Sequence, residues 1–241
     1  MKTMLLSIVV PAYNEAARLP TTLPKLAQFC ERHGSVEVLI VDDGSKDTTA
    51  AVVQEFAARY SFARLLQNPG NRGKGYSVRH GMQKAQGDWI LSTDADLSSP
   101  LEEVNKLIAA VDREQAAGAI GSRALDRSLV GVHQAAFREW SGRVFNVIMR
   151  IATGLPFRDT QCGFKLFRKD AAGVIFSRQL LDGFGFDVED LLIARIHGFK
   201  VVEVPVRWDN VEGTKVGALT GARAFWDLAV VRWNQLCGRY R

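Results

Sequence analysis

The sequence predicts an α/β fold in which a mostly parallel sheet is covered by helices on both faces. Short apolar runs alternate with stretches of helical periodicity through the first half of the chain. The apolar runs are continuous, as in strands that are buried on both sides, and do not alternate with polar residues. Polar turns separate the runs from the helical stretches, which fits strands joined through crossover helices.

The predicted elements follow one another in a regular order. Apolar runs predict strands at Leu5–Val10, Val36–Val41, Phe62–Leu66, Trp89–Ser92 and Ala119–Gly121. Apolar residues three or four positions apart predict helices at Glu15–Arg32, Asp47–Tyr60, Gly75–Ala85 and Leu101–Glu114. Less regular elements follow, namely an amphipathic stretch at Phe137–Thr153, a loop at 158–167, a segment at 183–199 and a strand at 201–206. We predict one domain over residues 1–216 and a C-terminal amphipathic extension over residues 217–241.

Composition and charge are those of a globular protein with a mild basic excess. Of the 241 residues, 47% are hydrophobic and 24% are charged, and the net charge is +5. Such an excess suits nucleotides, acidic lipid surfaces and nucleic acid, and does not choose among them. The cysteines Cys30, Cys162 and Cys237 are odd in number and far apart, which predicts neither a disulfide framework nor a zinc site. A reducing compartment, the cytoplasm, is therefore expected.

Membrane segments are not expected in this sequence. The N-terminal apolar run stops at Pro11, which favours a first strand over a signal sequence. No apolar run approaches the length of about 18 residues that a membrane-spanning helix needs.

Acidic side chains follow the predicted strands, where parallel sheets bind their ligands. Asp42 and Asp43 follow the second strand, and Asp94 and Asp96 follow a later one. Each cluster alone could cap the helix after it. Neighbouring carboxylates repel each other, so a positive group is expected between them. Carboxylate oxygens together with a diphosphate suit Mg²⁺ or Mn²⁺, and we predict such an ion here.

The loop NPGNRGKGYS at residues 68–77 also suggests phosphate binding. It is not a Walker motif, because Gly75 follows the Gly-Lys pair and Asn68 stands where that motif has glycine. Arg72 and Lys74 could still meet phosphate, and an ordinary loop before a helix stays the alternative.

Five segments occur in the order seen in inverting glycosyltransferases of family 2: SIVVPAYNEAARLP, VLIVDDGSKDTT, NRGKGYSVRHGM, GDWILSTDADLSSP and DTQCGFKLF. The chain resembles the polyprenyl-phosphate branch, and most resembles dolichyl-phosphate β-glucosyltransferases in DTQCGFKLF, FDVED and VEGTKV. The resemblance implies a GT-A fold with a Rossmann-like sheet. It also implies transfer of a sugar, expected to be glucose from UDP-glucose, to a polyprenyl or dolichyl phosphate. A nucleic-acid partner is not expected.

The resemblance implies roles for individual residues. Positions matching nucleotide-sugar contacts are Pro11, Tyr13, Glu15, Val41, Asp43, Lys74, Asp94, Ala95, Arg123 and Lys215. Asp94 and Asp96 match the metal-binding D-x-D pair, with Asp96 favoured as the direct ligand. Asp187 matches the catalytic base. Glu189 and Asp190 are its rivals, and at least one of these two is expected to be a solvated helix residue.

Other interpretations stay open at this stage. Ser98 stands where related mannosyl-phosphate synthases often have glutamine, which weakens a GDP-mannose donor without excluding it. A polysaccharide acceptor, a non-catalytic nucleotide-sugar-binding module and, more weakly, a metal-dependent phosphatase are the alternatives.

The C-terminal stretch suggests how a lipid acceptor would be reached. Trp226, Trp233 and Tyr240 lie among arginines, as in helices at a membrane interface, and a helix packed into the core is the equal alternative. The stretch Phe137–Thr153 is a second candidate surface. We expect peripheral attachment at the cytoplasmic face of a membrane.

Overall fold

The computed structural model describes residues 5–132, 147–211 and 218–241. Its strands are β1 (Leu6–Ala12), β2 (Val36–Asp42), β3 (Ala63–Gln67), β4 (Trp89–Ser92), β5 (Gly118–Ser122), β6 (Val130–Val132), β7 (Lys165–Arg168), β8 (Val201–Pro205) and β9 (Trp208–Asp209). Its helices are α1 (Leu19–His33), α2 (Thr49–Arg59), α3 (Lys74–Lys84), α4 (Val104–Glu114), α5 (residues 147–153), α6 (Lys169–Arg178), α7 (Phe186–Ile196) and α8 (Ala218–Leu236).

The main sheet is parallel except for one strand. Its order is β3-β2-β1-β4-β7-β5-β8, and β7 runs antiparallel to both of its neighbours, β4 and β5. The short strands β6 and β9 form a separate parallel pair. The predicted mostly parallel sheet is therefore confirmed.

Helices cover both faces of this sheet, as predicted. Ile8 and Val10 of β1 belong to a core cluster that includes residues of α1, α2 and α4. Val9, between them, points to the other face and belongs to a cluster that includes residues of α3, α6 and α7. Because successive side chains of a strand point to opposite faces, a strand covered on both sides is apolar at nearly every position.

The first helix begins later than the sequence predicts. Glu15 and Ala16 donate their backbone N–H groups to Thr49 Oγ1 (2.8 Å) and Asp47 Oδ2 (3.2 Å). These bonds hold the start of the predicted helix as a loop at the sheet edge, and α1 starts at Leu19. Contacts with a segment more than 30 residues away therefore override the local helical periodicity.

The second half holds elements beyond those predicted. The predicted loop at 158–167 runs into β7, which lies inside the sheet, and α6 follows directly. The strand KLFR is too short to carry a periodic signal, and its place is decided by hydrogen bonds to β4 and β5.

The C-terminal helix packs into the protein with one of its faces. Leu228 and Val231 of α8, and Tyr240 after it, lie in the core cluster beneath α7. Asp227 accepts a hydrogen bond from the backbone N–H of Gly185 (3.1 Å). Within the described residues no helix is long and apolar enough to cross a membrane.

Gly81 allows α3 to approach the sheet closely. A Cβ there would overlap Cγ1 of Val9 and lie 3.0 Å from Cγ2 of Val41. We expect Gly81→Ala to lower the free energy of unfolding by about 1–3 kcal/mol through overpacking, as measured by urea denaturation. Gly173→Ala in α6 is the matched control, because a Cβ there meets nothing within 4 Å. It should stabilise by about 0.5–1 kcal/mol. Equal effects of the two substitutions would contradict the close approach.

Candidate active site

The ends of β1 and β4 form the centre of the acidic edge. The two strands are parallel neighbours, and Thr93, just after β4, donates its N–H to the carbonyl of Val9 (3.0 Å). The chain then turns, with the N–H of Leu97 bonded to the carbonyl of Asp94 (3.0 Å). Asp94 and Asp96 are thus placed on a tight turn at the sheet edge, where the sequence predicts them.

Lys74 provides the positive charge that the paired aspartates need. Its Nζ lies 2.6 Å from Oδ1 of Asp94, and the two side chains are 23% and 37% exposed. Lys74 is the first residue of α3, so the pair joins the start of a helix to the end of a strand. Gly163 makes room for the contact, since a Cβ there would overlap the Asp94 carboxylate.

The electrostatics of the pair favour the charged form of both groups. Burial raises the pKa of Asp94, but Lys74 above all, with Lys165 and Arg123, outweighs it and holds this pKa below its usual value. Burial likewise lowers the pKa of Lys74, but Asp94, Asp187 and Asp96 together hold it above its usual value. Lys74 and Asp94 therefore form a stable ion pair around neutral pH.

Asp96 is suited to contribute to metal binding without forming a complete site. Its Oδ1 accepts the N–H of Ser98 (2.9 Å). Across the described residues, no cluster of three or more His, Cys, Asp or Glu side chains could hold a metal ion. Magnesium commonly takes one or two protein carboxylates and fills its shell with water and substrate phosphate. Asp94 and Asp96 supply two carboxylates, which fits an ion of that kind. The Lys74 ammonium lies beside Asp94 as a further cation.

A second cation, Arg123, follows β5 and is fixed by a buried partner. Its Nε and Nη2 donate to the two carboxylate oxygens of Asp159 (2.7 and 2.8 Å), and its backbone N–H donates to Oδ2 (3.0 Å). Burial raises the pKa of Asp159, but Arg123 more than offsets it and holds the pKa low. Asp159 was not among the predicted site residues, although it opens the DTQCGFKLF segment.

Asp43, expected to contact the nucleotide, also holds the loop that precedes Lys74. Its Oδ1 accepts from Asn68 Nδ2 (2.8 Å) and from the N–H of Arg72 (3.0 Å), and its Oδ2 accepts from the N–H of Gly73 (2.8 Å). Gly73 has a φ of 108°, and a Cβ there would lie 2.5 Å from the carbonyl oxygen of Asp182. Only glycine fits this position.

Asp187, expected to be the catalytic base, forms a buried ion pair with Lys165. Both side chains are 4% exposed. Lys165 Nζ also donates to the carbonyl of Cys162 (2.8 Å). Lys165 lies on the unpredicted strand β7 and was missed as a site residue. Its charge acts on Asp94, so Lys165 and Asp187 belong to the same electrostatic cluster.

The expectation that Glu189 or Asp190 is solvated is wrong, because α7 is buried on every side along this stretch. Glu189 is 0% exposed, and its oxygens accept from the N–H of Leu181 (2.9 Å) and the hydroxyl of Tyr240 (2.7 Å). Both oxygens of Glu189 are thus bonded inside the protein, and its catalytic role stays a prediction.

Asp190 is buried and 1% exposed. Among the residues that the structure describes, neither of its carboxylate oxygens has a hydrogen-bonding partner. Burial, followed by repulsion from Glu189 and Asp187, raises its pKa well above the usual value. The protonated form is therefore favoured inside the protein.

The remaining predicted contacts differ in their placement. Pro11, Tyr13 and Glu15 lie partly exposed at the sheet edge. The side chain of Val41 is wholly buried against α3, and its nucleotide contact stays a prediction. Ala95 is buried, and its carbonyl accepts from Thr22 Oγ1 (2.6 Å). Lys215 lies outside the described residues.

Residues 7–176 match the family model described as "Glycosyl transferase family 2". Among curated relatives, dolichyl-phosphate beta-glucosyltransferase ALG5D of Trichomonas vaginalis is 37% identical over 220 residues, covering 87% of this chain and 67% of the relative. Dolichyl-phosphate beta-glucosyltransferase of Homo sapiens is 34% identical over 260 residues, covering 99% and 78%. These matches include the strands and loops that carry the acidic edge.

Solved structures share the fold. Mannosyl-3-phosphoglycerate synthase from Rubrobacter xylanophilus has a TM-score of 0.68 at 14% identity, covering 98% of this chain and 75% of that one. Glucosyl-3-phosphoglycerate synthase from Mycobacterium tuberculosis, crystallised with Mn²⁺, UDP-glucose and phosphoglyceric acid, has a TM-score of 0.66 at 17% identity, covering 95% and 80%. The predicted GT-A fold is thereby confirmed.

The raised pKa of Asp190 predicts how the stability of the folded protein depends on pH. Because its pKa is higher in the folded than in the unfolded chain, the folded protein loses stability as the pH rises from about 4 towards the folded pKa. Asp190→Asn removes this loss. The stability gained by the variant should grow with pH, by up to about 1.4 kcal/mol per pH unit.

Urea denaturation between pH 5 and pH 8 measures this trend. Asp112→Asn, at an exposed position on α4, is the matched control. A difference between the Asp190 variant and the wild type that shrinks as the pH rises would contradict a protonated Asp190.

Proposed function

The chain belongs to glycosyl transferase family 2, and from that premise we propose that it transfers glucose from UDP-glucose to a dolichyl or other polyprenyl phosphate. The observation that carries the proposal is the cluster of Lys74, Arg123 and Lys165 around Asp94 at the sheet edge. Such a cluster suits a sugar donor with two phosphate groups. The relatives that match most of the chain carry dolichyl-phosphate β-glucosyltransferase in their names, which supports the choice of donor and acceptor.

The proposed reaction is a displacement with inversion at the sugar. An oxygen of the acceptor phosphate forms a bond to the anomeric carbon, and the bond from that carbon to the diphosphate oxygen breaks. UDP leaves with the electron pair. Negative charge therefore grows on the diphosphate in the transition state, where preorganised cations stabilise it most effectively.

Lys74 and Arg123 are the residues proposed to meet that charge. Both are held in place before any donor arrives, Lys74 by Asp94 and Arg123 by Asp159. A bound Mg²⁺ or Mn²⁺ ion, held by Asp96 and Asp94, would add positive charge at the diphosphate. The crystals of the similarly folded glucosyl-3-phosphoglycerate synthase with Mn²⁺ and UDP-glucose support this choice of ion.

Asp187 is proposed to orient groups at the site more than to remove a proton. A phosphate acceptor is already largely anionic near neutral pH, so its attack needs little help from a base. The pairing of Asp187 with Lys165 keeps a positive charge near Asp94 without leaving either group alone in the interior.

The outer face of α8 is proposed to rest on the membrane that carries the acceptor. Trp226, Trp233 and Leu236 are 70%, 63% and 69% exposed. At 100° per residue Trp226 and Trp233 lie about 140–160° from the packed residues Leu228 and Val231, and Leu236 lies at the edge of this outer face. A solvated helix would be polar on this face, whereas tryptophans beside basic residues suit the interface of a bilayer.

Two further features support a lipid surface as the partner. Arg232, Arg239 and Arg241 are exposed along and after α8, which suits anionic headgroups. Helix α5 exposes Val147, Ile148 and Ile151, while its Met149 lies in the same core cluster as Leu228. We propose that both helices make a peripheral contact at the cytoplasmic face of a membrane.

The metal proposal predicts the effect of Asp96→Asn. The substitution keeps the size of the side chain but removes a carboxylate ligand, and we expect at least a 100-fold loss of transfer. Transfer is measured as radiolabel from UDP-glucose entering the organic-solvent extract with dolichyl phosphate and Mn²⁺. Asp126→Asn is the matched control, since Asp126 accepts the N–H of Ser128 (3.0 Å) just as Asp96 accepts that of Ser98. If both variants stay active, the proposed role of Asp96 fails.

The membrane proposal predicts the effect of Trp226→Glu combined with Trp233→Glu. Placing two carboxylates on the outer face of α8 should reduce binding to vesicles of phosphatidylcholine and phosphatidylserine at least tenfold, as measured by cosedimentation. Leu180→Glu is the control, because Leu180 is an exposed apolar residue outside α5 and α8. Unchanged vesicle binding by the double variant would count against a membrane partner. Its conversion from a dimer to a monomer would instead assign the face to a second copy.

A further inference from the structure

We infer that Asn68 and His80 are positioning residues that act through Asp43 and Ser77 on Gly73, and so place Lys74 against the diphosphate of the donor. This inference rests on the proposed function, because it concerns how the same site binds its nucleotide. Neither residue was predicted to have this role from the sequence.

Asn68 lies at the centre of a buried hydrogen-bond network just after β3. Its Nδ2 donates to Oδ1 of Asp43 (2.8 Å) and to Oγ of Ser77 (2.9 Å). Its backbone N–H donates to the carbonyl of Asp42 (2.9 Å), which fixes the main chain at this point. Both hydrogens of the side-chain amide are therefore used inside the protein.

His80 sets the orientation of that amide. Its Nδ1 lies 2.8 Å from Oδ1 of Asn68. Since Nδ2 of Asn68 is committed to two acceptors, Oδ1 must accept, and His80 must carry a proton on Nδ1. A flipped amide would place its oxygen against the Asp43 carboxylate, with two acceptors facing each other.

Both branches of the hydrogen-bond network that starts at Asn68 end at Gly73. Through Asp43, the network holds the N–H of Gly73, which donates to Oδ2 (2.8 Å). Through Ser77, it holds the carbonyl of Gly73, which accepts from the Ser77 hydroxyl (3.2 Å) and backbone N–H (3.1 Å). The residue immediately before Lys74 is thus fixed on both sides.

This fixed glycine determines where α3 begins and where its first side chain lies. Gly73 has φ 108° and ψ 162°, which are not helical angles, and the helix starts at Lys74. A change in the hydrogen bonds of Gly73 would shift the Cα of Lys74, whose Nζ is 2.6 Å from Asp94. The network should therefore affect the phosphate end of a bound nucleotide more than its base.

Asn68→Asp tests the inference with little change in size. It puts a carboxylate against Asp43 in place of a donor, so the contact that fixes the loop becomes repulsive. We expect the affinity for UDP, measured by calorimetry with Mn²⁺, to fall at least tenfold. The affinity for uridine, measured by competition or by NMR titration, should fall by a smaller factor than the affinity for UDP, because Lys74 acts on the phosphates whereas Asp43 is itself expected to contact the nucleotide.

Asn71→Asp is the matched control, since Asn71 is exposed in the same loop and gains the same charge. It should leave both affinities within twofold of the wild type. His80→Phe provides a second variant that keeps a ring and adds no charge. It should lower the affinity for UDP threefold to tenfold and lower the affinity for uridine by a smaller factor. Thermal unfolding verifies that each variant is folded.

The outcomes separate the inference from the proposed function. Equal losses for uridine and UDP, or no loss in folded Asn68→Asp and His80→Phe, overturn the inference and leave the proposed function standing. A loss in Asn71→Asp as large as that in Asn68→Asp attributes the effect to charge and also overturns it. A wild-type protein that binds neither UDP nor UDP-glucose overturns the proposed function, and the inference with it.

Discussion

The ion pair between Lys74 and Asp94 is the interaction on which the arrangement of the site depends. Carboxylates placed side by side at a half-buried sheet edge are unfavourable unless cations neutralise them. Lys74 reaches Asp94 from the start of α3, and the contact needs a glycine at position 163 to leave room. Arg123 and Lys165 add positive charge nearby. The loop before α3 is therefore under a strict constraint, since a small displacement of its last residue would separate the pair.

The three acids at the start of α7 show how one helix accommodates negative charge in different ways. Asp187 is neutralised by Lys165, whereas Glu189 is held by hydrogen bonds from Leu181 and Tyr240. Asp190 has no hydrogen-bonding partner among the described residues, and burial favours its protonated form. The positive end of the helix dipole assists acids in this first turn. Of the three acids, Asp187 is the one that forms an ion pair with Lys165, whose charge also acts on Asp94, so proximity in sequence does not imply a shared function.

The segment between α6 and α7 connects helix α3, which carries Lys74, to the C-terminal helix. Asp182 accepts hydrogen bonds from Arg79 (2.6 Å) and from the N–H of Tyr76 (3.2 Å), both on α3. On the other side, Gly185 donates to Asp227 of α8. The helix whose outer face is apolar is thus tied through one short segment to the helix that carries Lys74. The same short segment therefore contacts both the helix that carries Lys74 and the helix that carries the exposed tryptophans.

The sequence by itself determined the layered α/β architecture and most of the sheet edge. Continuous apolar runs, helical periodicity and acidic clusters after strands are local patterns, and Asp43, Lys74, Asp94 and Asp96 lie where those patterns place them. Only the tertiary structure decided that KLFR is a central strand, that Lys165 neutralises Asp187 and that Asp159 fixes Arg123. It also decided that Val41 and Glu189 are buried, and that Asn68 supports the loop before Lys74. Most of these contacts join residues far apart in the chain, as Lys165 with Asp187 and Glu189 with Tyr240, which are 22 and 51 positions apart. Local periodicity reports the burial of a residue, whereas the identity of its partner depends on how distant segments are brought together by the packed sheet.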